Sequence, residues 1–148
     1  MTGGADPARM PLLLLDTHTL IWFMFGDGRL GEVAAESILG ACRNDFVLVS
    51  AITPWEIGLL VSKKRIEIFR DVTEWILGVL ATPGVRLVPL EPEIAVASTR
   101  LPFEMHPDPA DRILVATARH LGATLVTADS VLLELAVKGH FRALDATK

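Results

Sequence analysis

The apolar positions of this chain fall into two alternating kinds of segment. LLLL (12–15) and FVLVS (46–50) are short apolar runs of the kind expected for strands buried on both faces, and VRLVPL (85–90) and TLVT (124–127) read as a third and a fourth strand. Helical spacing fills the gaps between them. Residues 19–25 form an apolar helix broken by Gly26-Asp27-Gly28, and a second helix covers about 31–42. Thr53-Pro54-Trp55-Glu56 opens a helix reaching Lys64, with a Thr cap, a Glu three residues on and Pro in the first turn. Val72, Trp75, Ile76, Val79 and Leu80 recur at i, i+3, i+4, i+7 and i+8, and their helix stops at Pro83-Gly84. A further helix spans 92–101. Asp108-Pro109-Ala110-Asp111 opens another that Gly122 ends, and 130–138 is the last, before a short strand FRAL at 141–144. Strands separated by helices predict an α/β fold with a mainly parallel sheet of about five strands between helical layers.

Composition narrows the class. The chain has 148 residues, 51% of them apolar and 22% charged, which fits one compact unit and excludes a disordered or solvating chain. A net charge of −4 argues against adhesion to nucleic acid through an overall positive field, while leaving room for a local basic strip. The lone Cys42 has no partner for a disulfide, so a reducing cytoplasm is the expected compartment. Asp16, Thr17, His18 and Thr19 interrupt the most apolar stretch, so no membrane span or signal peptide is expected. Residues 1–9, small and polar with Gly3, Gly4 and Pro7, read as a flexible arm before a single domain over 10–148, with Met10 an alternative start.

Candidate chemistry gathers where such folds place it, at the carboxyl ends of the strands. Asp16 follows the first strand and Asp129 the fourth. Glu56 and Asp111 lie in the first turns of helices that begin on that same rim, with Asp108 beside Asp111. Carboxylates brought together repel one another and raise their pKa values unless a cation neutralises them. Oxygen donors without Cys or His at ligand spacing favour Mg²⁺ or Mn²⁺, which suit phosphodiester cleavage. Each acid also has a plainer reading: Glu56 and Asp111 sit at capping-box positions, and Asp129 precedes a helix. Asp16, directly after four leucines, is the hardest to explain as a cap.

Taken together, LLLLDTHTLIW, SAITPWEIGLL and DPADRILVATARHLGATLVTAD resemble the successive motifs of PIN-domain ribonucleases, and among them the VapC toxins of type II toxin–antitoxin pairs. The resemblance implies a three-layer α/β/α PIN-like domain. It makes Asp16, Glu56, Asp111 and Asp129 the metal-binding catalytic acids, with Thr17, Ser50, Thr127, Asp108 and Arg112 in support. It further implies Mg²⁺-dependent endonucleolytic cleavage of RNA by water, a homodimer, and a cognate VapB-type antitoxin filling the groove beside the site.

Other residues have two readings each. Lys63, Lys64 and Arg65, like Arg112 and Arg119, are candidates for RNA phosphate contacts or for solvated helix ends. His18 reads as a structural histidine, and His106, His120 and His140 as scattered and exposed. Trp22, Phe23, Met24 and Phe25 exceed what one helix face buries, which predicts a dimer or antitoxin contact. Trp55 and Trp75 read as packing residues. A receiver-type signalling domain needs an acceptor Asp at the end of a central strand and a Lys after a late one. It fits poorly because VRLVPL is followed by Glu91 and FRAL by Asp145, and a non-catalytic RNA-binding scaffold is the remaining alternative. No phosphate-binding loop, dinucleotide fingerprint, nucleophile elbow or H-E-x-x-H motif is present.

Overall fold

The computed structural model describes residues 10–148, so the expected arm at 1–9 lies outside the described residues. Its elements run β1 (Leu13–Leu15), α1 (Thr17–Phe25), α2 (Glu32–Cys42), β2 (Val47–Ser50), α3 (Ile52–Ser62), α4 (Val72–Leu80), β3 (Val85–Val88), α5 (Pro92–Thr99), α6 (Pro109–Leu121), β4 (Thr124–Thr127), α7 (Ser130–Val137) and β5 (Arg142–Asp145). The five strands form one sheet in the order β3-β2-β1-β4-β5, and every pair is parallel. Parallel pairing requires a crossover between each pair of strands, which the helices supply.

Alternation along the strands divides the core in two. Leu13 and Leu15 of β1, with Val47 and Val49 of β2, face Leu20, Ile38, Ile57 and Val79 from α1 to α4. Leu14, Leu48 and Leu125 point the other way, onto Leu114 and Val115 of α6 and Leu132 and Leu135 of α7. The continuous apolar runs thus cover both faces of the sheet, and the three-layer α/β/α arrangement follows. The chain steps from β1 toward β2 and β3, then returns to place β4 on the other side of β1. This reversal opens a crevice beyond the carboxyl ends of β1 and β4.

Several boundaries differ from the sequence reading for identifiable reasons. Helix α1 starts at Thr17 because Asp16 itself caps it, accepting from the Thr19 amide at 2.8 Å. The capping box expected at Thr53 does not form. Helix α3 begins two residues earlier than a Thr53 cap implies, at Ile52, whose amide donates to Ser50 Oγ at 3.1 Å, and Thr53 is buried with its hydroxyl unpartnered among the described residues. The turn at Pro83-Gly84 needs its glycine: φ is +90°, and a Cβ would lie 2.0 Å from the Cys42 carbonyl oxygen. The apolar excess of α1 is largely absorbed within the chain. Trp22 is buried, Phe23 and Met24 are half-buried, and Phe25 stays exposed while stacking on Trp75 with ring centres 5.6 Å apart.

Candidate active site

The crevice at the β1–β4 reversal is a cleft of about 340 Å³ lined by Asp16, Thr17, His18, Trp22, Glu56, Asp111, Leu114, Ala128 and Asp129. All four acids singled out from the sequence therefore meet in one place. A larger cavity, about 1050 Å³, lies at the amino ends of β4 and β5 and includes Arg119, His140 and Arg142. The smaller cleft holds the concentration of interacting titratable groups.

Local structure fixes each acid differently. The Asp16 amide donates to the Val126 carbonyl at 3.1 Å, which holds its backbone at the level of β4. One Asp16 carboxylate oxygen caps α1, and the other accepts from Thr127 Oγ1 at 2.5 Å. Thr127 Oγ1 also accepts from the Asp129 amide at 3.0 Å, so one buried hydroxyl ties two acids together. Asp129 Oδ1 accepts from the amides of Val131 and Leu132, capping α7. Buried Thr17 donates to Glu56 Oε1 and so orients the acid on α3 from α1.

Asp111 stands apart. Asp108 does the capping of α6 by accepting from the Asp111 amide at 3.1 Å, which leaves the Asp111 carboxylate free to face the cleft. Burial first, then repulsion from Asp108, Asp129, Glu56 and Asp16, pushes its carboxyl up to about 7. Its close side-chain partner is His106, whose Nε2 lies 3.4 Å from Oδ2. Among the described residues no three His, Cys, Asp or Glu side chains stand close enough to enclose a metal ion directly. The acids share a cleft without closing on one point, as mutually repelling carboxylates do.

Not every sequence candidate arrives here. Ser50 is buried and accepts from the Ile52 amide, so it fixes the start of α3 and touches no acid. Arg112 is not tied to a rim carboxylate: its guanidinium donates to the carbonyls of Ser98 at 2.8 Å and Met105 at 3.1 Å, pinning the 100–108 segment to α6. Arg119 donates to the His140 carbonyl and lies over the Phe103 ring, and His140 stacks on that same ring instead of standing exposed. Lys63, Lys64 and Arg65 are exposed at the far end of α3 from Glu56. His106, expected from the sequence to be exposed, is half-buried against Asp111, a role its irregular segment, with no periodic signal, did not reveal.

Comparison with known proteins places the fold and the family. The sequence profile of the PIN domain matches residues 13–138. Ribonuclease VapC22 of Mycobacterium tuberculosis is 34% identical over 120 residues, covering 81% of this chain and 88% of that protein. A crystal structure of VapBC2 from Rickettsia felis bound to a promoter DNA fragment superposes with a TM-score of 0.64 at 13% identity, covering 89% of this chain and 96% of that one. A toxin–antitoxin complex from Klebsiella pneumoniae gives a TM-score of 0.52 at 22% identity, covering 80% of this chain and 87% of the other. The match across nearly all of the sheet, with the acids at its carboxyl rim, makes this chain a member of the PIN-domain family, of the VapC type.

Proposed function

We propose that this chain is a metal-dependent endoribonuclease, the toxin of a type II toxin–antitoxin pair, which cleaves cellular RNA by attack of water on a phosphodiester. The observation that carries this reading is the convergence of Asp16, Glu56, Asp111 and Asp129 on one cleft, with Asp111 pushed up to about 7. A repelling acid cluster is costly for the fold and is explained by a cation that compensates it. Ribonuclease VapC22, at 34% identity, supports RNA as the substrate.

The donor set fits Mg²⁺ or Mn²⁺. It consists of carboxylate oxygens, with space for water, and suits an ion that keeps part of its hydration shell and takes a few protein ligands. Asp16, Glu56, Asp111 and Asp129 would hold it. Such an ion, when bound, lowers the pKa of the attacking water and offsets charge on the phosphate oxygens. The chain's own residues prepare the site. Thr127 and the Thr19 amide fix Asp16, Thr17 fixes Glu56, and the first turn of α7 fixes Asp129. Asp111 holds a proton near neutrality and must release it to ligate a cation, so protons and divalent metal compete at its carboxylate.

The antitoxin reading is supported by an apolar groove of about 610 Å³ between α3 and α4, lined by Pro54, Trp55, Val61, Val72, Ile76 and Leu77. Trp55 is 54% exposed there and offers an aromatic anchor for an apolar antitoxin segment. A homodimer and a cytoplasmic location complete the proposal; among the described residues no helix is long and apolar enough to cross a membrane. The test is incubation of total cellular RNA with purified protein in Mg²⁺ or Mn²⁺ against EDTA, beside Asp16→Asn. Discrete fragments that require metal and disappear in the variant are the expected result. Tight metal binding with no cleavage of RNA from several sources would overturn the enzyme in favour of a binding scaffold.

A further inference from the structure

We propose that His18 is a stacking platform for a nucleobase next to the bond that is cut. The inference rests on the ribonuclease reading and adds to it how the chain grips RNA.

Among the described residues, no Lys or Arg lines the cleft. Carboxylates repel a phosphate backbone, and a bound cation would compensate only the centre of the site. Flanking nucleotides therefore need a contact that does not depend on positive charge. Two lining residues carry rings, His18 and Trp22, four positions apart on one side of α1. Trp22 is already occupied: it is buried, and the Arg29 guanidinium carbon lies 5.2 Å from its ring centre, with Arg29 itself held by Asp27 at 2.7 Å.

His18 is exposed, and its ring meets Trp22 edge-on, with centres 6.5 Å apart and planes at 61°. An edge-on neighbour leaves the His18 ring, which lines the cleft, without a stacked partner among the described residues. The ring is also well anchored. It follows the capping Asp16 by two residues, and its neighbour Thr19 is fully buried with its hydroxyl donating to the Val126 carbonyl at 3.0 Å. A base stacks on such a ring through its flat face, which a duplex conceals and a single strand presents. Neutral imidazole suffices for this contact.

The probe is a short single-stranded RNA copied from a site at which the wild type cuts cellular RNA, with 2-aminopurine beside the cut, titrated in Ca²⁺. Wild type should quench the 2-aminopurine fluorescence on binding. His18→Ala should abolish the quenching and weaken binding by about 5- to 150-fold, the range for loss of one base–aromatic stack. His18→Phe should keep both, and thermal unfolding should be alike in all three proteins. In Mg²⁺ turnover, His18→Ala should raise KM while kcat stays within about threefold.

Quenching and affinity unchanged in His18→Ala overturn the stack while leaving the ribonuclease intact. Failure of His18→Phe alongside His18→Ala, with unfolding unchanged, also overturns it, since a flat ring is then not what matters. A wild type that neither cuts nor binds RNA removes the ribonuclease reading and this inference with it.

Discussion

On one wall of the cleft, Asp16 and Asp129 have their carboxylate oxygens engaged by the protein, Asp16 by the Thr19 amide and the Thr127 hydroxyl, Asp129 by two amides of α7. On the other wall, Asp111 receives no backbone amide on its carboxylate among the described residues. Its neighbour Asp108 has taken the cap, and its contact is His106 at 3.4 Å. The difference shows in charge: burial and surrounding carboxylates push Asp111 up to about 7. Amides that point at a carboxylate favour its ionised form, and burial without them favours the neutral one. The cleft therefore combines two acids fixed in place by helix caps with one whose charge depends on what else is present. Capping and metal binding are compatible roles, because a cap uses one oxygen or one lone pair and leaves the rest of the carboxylate free.

The largest effect is predicted for Asp111→Asn. Cleavage should fall by more than about 100-fold, because a group proposed to hold the metal loses its charge. Stability should move the other way. Raised from 3.8 to about 7, Asp111 binds a proton in the folded state that the unfolded chain has released, so its ionisation lowers stability progressively as pH rises through that window. At pH 8 without divalent metal, Asp111→Asn should thus be more stable than wild type by about 2 kcal/mol, an advantage that fades toward pH 4. Thermal melts across pH, with and without Mg²⁺, measure both, and a variant less stable than wild type at pH 8 would contradict the assignment.

The fixed acids should behave differently. Asp16→Asn keeps an oxygen for the Thr19 amide but turns an NH2 toward the Thr127 hydroxyl, so it should lose cleavage with a smaller stability loss than Asp16→Ala, which loses about 1 kcal/mol more through the missing cap. Thr127→Val, which removes the hydroxyl shared by Asp16 and Asp129, should cost about 1–3 kcal/mol from the groups left unpaired and about 10- to 100-fold in rate. Denaturant melts beside metal-dependent turnover separate these outcomes. Equal rates for Thr127→Val and wild type would show that the tie between the two acids has no catalytic consequence.

Much of this was legible in the chain itself. Apolar runs located β1, β2 and β4, and helix-start residues located α6 and α7, because burial on both faces and backbone capping leave direct marks in sequence; β3, an edge strand with Arg86 and Leu87 exposed, was marked by its apolar positions and the Pro83-Gly84 turn before it. The four acids could be placed on one rim from strand and helix direction alone. That Asp108 alone would do the capping and leave the Asp111 carboxylate to its acidic neighbours could not be read, since the capping-box position also let Asp111 bond back to the helix start and only its side-chain direction decides. Likewise, Thr53 looked like a cap from T-P-W-E, yet Ser50 took the Ile52 amide and the helix starts two residues earlier. His106 and the backbone role of Arg112 depend on an irregular segment with no period to read.

The smallest effect concerns the same question, structural closure or ligand contact, at the other end of α3. Helix α3 carries Glu56 in its first half and Lys63, Lys64 and Arg65 at its end, about 10 Å farther along the axis from Lys63 to Glu56 at the usual helical rise. Lys64 has φ of +56°, its amide donates to the Val61 carbonyl at 3.0 Å, and the Arg65 amide donates to Leu60 at 2.9 Å. This is a left-handed helix stop occupied by a residue with a Cβ, so the backbone is mildly strained where glycine would fit. Lys64→Gly should therefore raise stability by about 0.5–1 kcal/mol, a gain readable as a shift of a few degrees in Tm, with cleavage unchanged. A tenfold rise in KM that vanishes at high salt would instead return Lys64 to the RNA-binding surface, because loss of a phosphate contact is read in the salt dependence and loss of a helix stop is not.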